Sequence, residues 1–349
     1  MGNRKLLRIL ALHPKAWSVG GYASMYGCDV RHVEIGDPVP MRWDGHRSFD
    51  GIGQRTTRCG IEKLLEAARE FAPHVILFGI HHELTRETLE AARRAAGGAK
   101  LVMHYTDQRV DVPKEVTKYD GSIDLLLLTN TDRADHAKYH QAGLKTEVLW
   151  DGVESREYHP THEPAVCDAF FGGNNFAGLA ESIRSAGMVV PAGIEFTGSL
   201  FRDRFLRSVA DMCDLRIRGE HGWADWPNVE PPLYHPNYLA VLHQAKVILN
   251  TWNAPRCGLL TRRVWRSMAS GRLFLTQYVA GMEDVFENDV HLSWFYSIEE
   301  GLDKLAWYLK HDDAREIVAD CGARLIFREH TCEKRLAEFK KVLDRSDLI

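Results

Sequence analysis

The chain has 349 residues, 45% of them hydrophobic and 26% charged, a globular composition that excludes a disordered or fibrous protein. Its length is that of one large or two medium domains. With 44 basic and 48 acidic side chains the formal net charge is −4, so bulk-charge coating of nucleic acid is excluded while a local basic patch is not.

Residues 6–12 are a short apolar run, the pattern of a strand covered on both faces. A second strand signal lies at 32–35. Apolar residues at helical spacing (Ile61, Leu64, Leu65, Ala68, Phe71) predict a helix that Pro73 stops. The strand HVILF at 74–78 follows, then a helix over 84–96, the strand KLVMH at 100–104, the strand DLLLL at 124–128, a helix over 133–141 and a strand at 147–150. The pattern restarts with strands at 168–171, 215–218, 246–249 and 273–276 and helices at 205–212, 238–244 and 262–269; a helix-rich tail runs from 298. Strands alternating with helices imply parallel, doubly wound sheets. The polar stretch WDGVESREYHPTHEP near 150–165 reads as the linker between two halves.

Seven cysteines, none in a C-x-x-C pair, read as reduced thiols. The short N-terminal apolar run, broken by Arg8, fits a strand better than a signal segment, and no stretch approaches a membrane span. A cytoplasmic protein is expected.

In open α/β sheets ligands bind beyond the carboxyl ends of strands. After the first strand, Gly20-Gly21 would let backbone N–H groups approach a phosphate or sugar, and also fits an ordinary strand-to-helix turn. His81, His82 and Glu83 follow HVILF. One of the histidines is expected to line the cleft, although Glu83 also suits a helix N-terminus. Asp107 follows KLVMH and fits either a general base or an Asx turn or cap. Phe171-Gly172-Gly173-Asn174-Asn175 is the stronger glycine loop, a candidate diphosphate nest that is neither a P-loop nor G-x-G-x-x-G. Arg256, Arg262, Arg263, Arg266 and Arg272 cluster around one helix start: a phosphate site or a solvated basic face. No D-x-D triplet occurs, which disfavours a metal-clamped nucleotide-sugar site, so no metal is expected.

The second half resembles the C-terminal domain of CgeB-type (spore-maturation-like) glycosyltransferases of the GT-B fold. The resemblance is carried by Leu249-Asn250, Arg263-Val264-Trp265, Ala269-Ser270-Gly271, Gly281-Met282-Glu283 and His330-Thr331. It implies two Rossmann-like domains facing a central cleft, an acceptor domain over 1–153 and a donor domain with helical tail over 154–349. It also implies sugar transfer from a nucleotide-diphosphate sugar as co-substrate, with no further cofactor. By the same resemblance Gly172, Gly173 and Asn174 lie near the donor phosphates, Gly219 and Gly222-Trp223 beside the nucleotide base, Arg263 on the diphosphate and Glu283 on ribose or sugar hydroxyls; Asn250 and Arg266 join the donor set. The E-x7-E pair common in retaining GT-B enzymes is absent: Gly258 and Arg266 stand in its place. An inverting reaction would take its base from Asp107, His81 or His82. The acceptor is open, with hydroxymethylated phage DNA one alternative. A sugar-nucleotide 2-epimerase and an inactive sugar-nucleotide-binding module are the alternatives outside glycosyl transfer.

Overall fold

The computed structural model describes residues 6–12, 28–35, 58–59, 61–79, 84–106, 112–119, 121–177, 197–223, 225–233, 237–253 and 256–349. Its chain divides into two compact units. One takes in the described residues up to Gly152 together with His330–Ile349, and the other is Val153–Glu329.

The first unit runs β1 (Arg8–Ala11), β2 (Asp29–His32), β3 (Glu34–Ile35), β4 (Arg58–Cys59), α1 (Ile61–Phe71), β5 (Val75–Phe78), α2 (Arg86–Ala95), β6 (Lys100–Tyr105), α3 (Lys114–Thr117), β7 (Leu125–Leu128), α4 (Arg133–Gln141) and β8 (Thr146–Val148). Six strands form a parallel sheet in the order β2-β1-β5-β6-β7-β8. VILF and LLLL are buried at every position because helices cover both faces of such a sheet. Leu64, Ala68, Leu89 and Ala92 pack with Ile76, Met103 and Tyr105. Helix α2 starts where the Thr85 hydroxyl accepts from Thr88 N, and ends with Arg93 and Arg94 in its last turn, matching the helix dipole.

The second unit runs β9 (Cys167–Gly172), α5 (Thr197–Met212), β10 (Leu215–Arg218), β11 (Val229–Glu230), α6 (Asn237–Leu242), β12 (Ala245–Asn250), α7 (Arg262–Ala269), β13 (Leu273–Gln277), β14 (Ser293–Phe295), α8 (Ile298–Lys310) and α9 (Asp312–Glu329). Its sheet is again parallel, in the order β11-β10-β9-β12-β13-β14. Strand order therefore reverses between β9 and β12, and the reversal opens a crevice at their carboxyl ends.

The last helix, α10 (Cys332–Arg345), returns to the first unit. Its apolar stripe of Leu336, Phe339, Val342 and Leu343 closes the sheet face formed by Ile9, Val75, Leu77, Val102, Leu125 and Leu127. The tail had been expected with the second half, over 154–349. The apolar stripe is visible in the sequence, but the face it covers is distant in the chain. A Cβ on Gly152 would stand 2.8 Å from Cys332 N, so only glycine lets the returning chain pass there. Both parallel α/β sheets agree with the expected fold class. No helix among the described residues is long and apolar enough to cross a membrane.

Candidate functional site

The glycine loop after β9 lies at the β9/β12 reversal. Gly173 N donates to Arg218 O at 2.8 Å. Trp223 Nε1 donates to Gly173 O at 3.1 Å. The Asn174 carboxamide oxygen accepts from Glu220 N at 3.0 Å and His221 N at 3.2 Å. The loop is thus fixed by its neighbour after β10, and close approach explains its composition. A Cβ on Gly219 would stand 2.2 Å from Gly173 O and from Trp223 Nε1, and one on Gly173 would stand 2.8 Å from Arg263 Nη2.

A cavity of about 370 Å³ opens here, within the size range of small-ligand pockets. Gly172, Gly173, Asn174, Tyr238 and Asn253 line it together with Arg202, Arg218, Arg262, Arg263 and Arg266. These cations differ in their partners. Arg218 pairs with Glu230, and Arg266 makes a two-pronged pair with the buried Glu154 carboxylate. Among the described residues, Arg202 and Arg263 have only neutral partners. Arg202, 2% exposed, donates from Nε to Thr251 Oγ1 at 2.9 Å, from Nη2 to Thr251 O at 2.6 Å and from Nη1 to Asn174 O at 2.5 Å. Arg263 Nη1 donates to Asn250 Oδ1 at 2.9 Å. Both guanidinium groups lie over the Phe171 ring, at 5.1 Å and 5.6 Å from its centre.

Burial, and then the charge of Arg263, hold Arg202 well below the ordinary guanidinium pKa. Burial lowers Arg263 as well. Neither group loses its proton at physiological pH. The direction instead expresses the cost of holding two cations side by side with no carboxylate partner among the described residues, a cost that a bound anion would offset. Helix α7 points its N-terminal turn from the same edge, and the Thr261 side chain makes no capping bond to it. Two cations, a glycine nest and a helix start suit a diphosphate.

The site gathers Gly172, Gly173, Asn174, Arg263 and Arg266 from the expected residues. Asn174 braces the loop with its carboxamide oxygen, and Arg266 is neutralised by Glu154. Asn250 is 1% exposed. Held by Thr276 Oγ1 at 2.9 Å through its Nδ2, it orients Arg263 and does not line the cavity. Trp223, expected beside the nucleotide base, is 7% exposed and packs edge-on against Phe171 and Trp226; Gly222 turns the chain beside it at φ 78°. Glu283 is exposed and accepts from Tyr278 Oη at 2.9 Å, outside the cavity lining. Arg272, grouped with the cluster by sequence, instead donates to the carbonyls of His243 and Glu163. Gly20, Gly21, His81, His82 and Asp107 lie outside the described residues. Arg202 was missed: in sequence it is one of several arginines along a 16-residue helix, with nothing local to mark it.

Residues 202–341 match the family described as glycosyl transferase-like. No curated protein sequence matches the chain. Among solved structures it is similar to Anabaena Alr3699/HepE in complex with UDP and glucose, with a TM-score of 0.63 at 11% identity over 97% of this chain and 100% of that one. It is also similar to a glycosyltransferase from Rickettsia africae, with a TM-score of 0.60 at 11% identity over 98% and 99% of the two chains. A third is an alpha-glucosyltransferase in complex with UDP and a 13-mer DNA containing a HMU base, with a TM-score of 0.62 at 9% identity over 97% and 100%. The solved structures share the GT-B architecture, and residues 202–341 carry a glycosyl transferase-like match within it. That match begins at Arg202, the buried cation of the site.

Proposed function

We propose that this protein is a CgeB-type glycosyltransferase that binds a nucleotide-diphosphate sugar in the cavity at the β9/β12 reversal and transfers the sugar to a hydroxyl acceptor. The observation that carries the reading is the pair Arg202 and Arg263, two desolvated guanidinium groups with neutral partners only among the described residues, beside the Gly172-Gly173 loop. Breaking the bond from the sugar to the diphosphate leaves negative charge on the leaving oxygen. Fixed cations and backbone N–H groups aimed at that charge lower the barrier, and they act most strongly where water is excluded. In this reading Arg202 and Arg263 supply those cations and no metal ion is required. Tyr238, whose hydroxyl burial pushes up in pKa, remains a proton donor at the cavity wall. Asp107, His81 and His82 are the proposed bases for the acceptor hydroxyl. A cytoplasmic location belongs to the same reading; the sequence holds seven cysteines, none in a C-x-x-C pair.

A thermal-shift panel tests the reading, because a ligand that binds only the native state raises the melting temperature. Nucleoside diphosphates and their sugars should raise it, and monophosphates should do so less. No shift with any diphosphate would remove the proposal. Product release that requires an added acceptor separates transfer from 2-epimerisation, and any turnover excludes the inactive module. A second reading, transfer to hydroxymethylated DNA, draws support from the fold neighbour described with modified DNA; it requires salt-dependent DNA binding.

A further inference from the structure

At the carboxyl edge of the same sheet, a group of aromatic side chains lies outside the residues that line the donor cavity. Tyr278 directly follows β13 and Tyr296 directly follows β14. Their ring centres are 4.6 Å apart, and Trp294 lies 5.8 Å from Tyr278. Each ring is held in place. Tyr278 Oη donates to Glu283 Oε1 at 2.9 Å, and Trp294 Nε1 donates to Tyr296 Oη at 3.3 Å. Tyr296 N donates to Glu300 Oε2 at 2.8 Å, and Tyr278 N donates to Phe295 O at 2.8 Å. Tyr296 is nevertheless 62% exposed, and the Glu283 carboxylate beside it is exposed too. A pre-oriented aromatic face open to water, with a carboxylate at its rim, is a recognition surface rather than a core fragment.

Its position relates it to the cavity. Neighbouring strands lie ~4.8 Å apart, so the ends of β13 and β14 are on the order of 10 Å from the β9/β12 crevice. Residues 256–258, which precede α7, pack against the turn that follows β13. Gly258 N donates to Ala280 O at 2.6 Å, and a Cβ on Gly281 would stand 2.9 Å from Gly258 N and 3.2 Å from Cys257 Sγ. The turn between Tyr278 and Glu283 is thus packed against the segment that leads to Arg262 and Arg263.

We propose that Tyr278 and Tyr296, with the Glu283 carboxylate, form a subsite for a ring of a neutral saccharide acceptor. The chemistry is complementary. The apolar C–H face of a pyranose covers an aromatic ring, and its hydroxyls donate to a carboxylate with several acceptor positions, to which only Tyr278 is bonded among the described residues. Charge separates this ligand from a polynucleotide. Glu283, Asp284, Glu299 and Glu300 belong to the segments that carry the two tyrosines, and they would repel a phosphate backbone. This assignment rests on the donor reading of the adjacent cavity.

The test is calorimetric titration of the full chain, saturated with nucleoside diphosphate, with neutral hexasaccharides of glucose, mannose and galactose and with a hydroxymethylated single-stranded 13-mer. At least one saccharide should bind. Tyr296→Ala should weaken that binding about tenfold or more, and Tyr278→Phe, which keeps the ring, should weaken it less. Trp307→Ala serves as an exposed aromatic control on α8 and should bind as wild type does. The diphosphate thermal shift should be equal in all four proteins, so loss of that shift in the wild type marks failure of the donor reading instead. An unchanged saccharide affinity in Tyr296→Ala, no saccharide binding by the wild type, or binding of the 13-mer alone would overturn the subsite.

Discussion

Arg263 and Arg202 carry opposite lessons about what a sequence displays. Arg263 is legible because it stands at the start of an apolar-periodic helix within a run of arginines. Arg202 becomes visible only when α5 is folded back so that Thr251 and Asn174 receive its three donor groups. The sequence groups Arg266 with Arg263 equally well, yet Glu154, 112 residues earlier, neutralises it, and no local pattern reports such a pair. Asn250 bonds Arg263 and Trp223 packs against Phe171, and residue type alone does not tell a ligand contact from a group that orients one. Charge-assisted hydrogen bonds are worth about 1.5–3 kcal/mol, so Arg263→Met should weaken nucleoside diphosphate binding about 10- to 100-fold by titration. Replacing an uncompensated cation with an apolar chain is often neutral, so the melting temperature of the unliganded variant should stay near that of the wild type. Gly219→Ala should behave in the opposite way. Its Cβ would meet backbone at 2.2 Å, and overpacking of this kind costs about 1–3 kcal/mol in urea denaturation.

Elements were more legible than their partners. Burial on both faces produces the apolar runs VILF, LLLL and KVIL, and periodicity finds them. The expected helices at 133–141 and 262–269 and the strand at 215–218 have their observed bounds. Strand β14, Ser293–Phe295, gave no signal at three residues, and α5 begins earlier than the expected 205 because its first turns carry Gly198 and polar residues. The tail is legible as helical, but its docking on the first sheet is not, since an amphipathic stripe states that a helix docks and not where. Phe339 on α10 is fully buried against the first sheet. Phe339→Ala should therefore destabilise the first unit by about 3–5 kcal/mol, measured by denaturant unfolding. Helix α5 is tied down differently. Asp203 accepts from Asn175 Nδ2 at 2.8 Å, Trp226 Nε1 at 2.9 Å and Arg207 Nε at 2.9 Å, linking the helix to the turns that brace the glycine loop.

Across the molecule, two sheets of parallel strands supply scaffolding, and chemistry concentrates where one of them reverses its strand order. The net charge of −4 conceals this distribution: two desolvated arginines at the reversal, carboxylates along the β13/β14 edge. Charge also sets how the fold responds to acid. Burial pushes the Asp203 and Asp289 carboxyls up, but donors from Arg207, Trp226 and Asn175 in one case, and Lys304 and Ser293 in the other, outweigh it, so both pKa values are lowered. Asp168 is lowered chiefly by its bond from Lys246. A carboxylate with a depressed folded pKa contributes its full stabilisation above its unfolded value of about 3.9 and loses it as pH falls through the folded value. All three lie in the second unit, so its urea midpoint should hold between pH 7 and 5 and drop below about pH 4. Asp203→Asn should start lower and show a shallower drop.

The central claim is that the β9/β12 cavity holds a nucleotide diphosphate through Arg202 and Arg263. Titration calorimetry of a nucleoside diphosphate panel in the presence of a chelator, on the wild type and on the Arg202→Met, Arg263→Met double variant, tests it most directly. The expected result is single-site binding by the wild type without metal, and no detectable binding by a double variant that still unfolds cooperatively. Equal affinity in the two proteins, or wild-type binding that appears only when a divalent ion is restored, would contradict it.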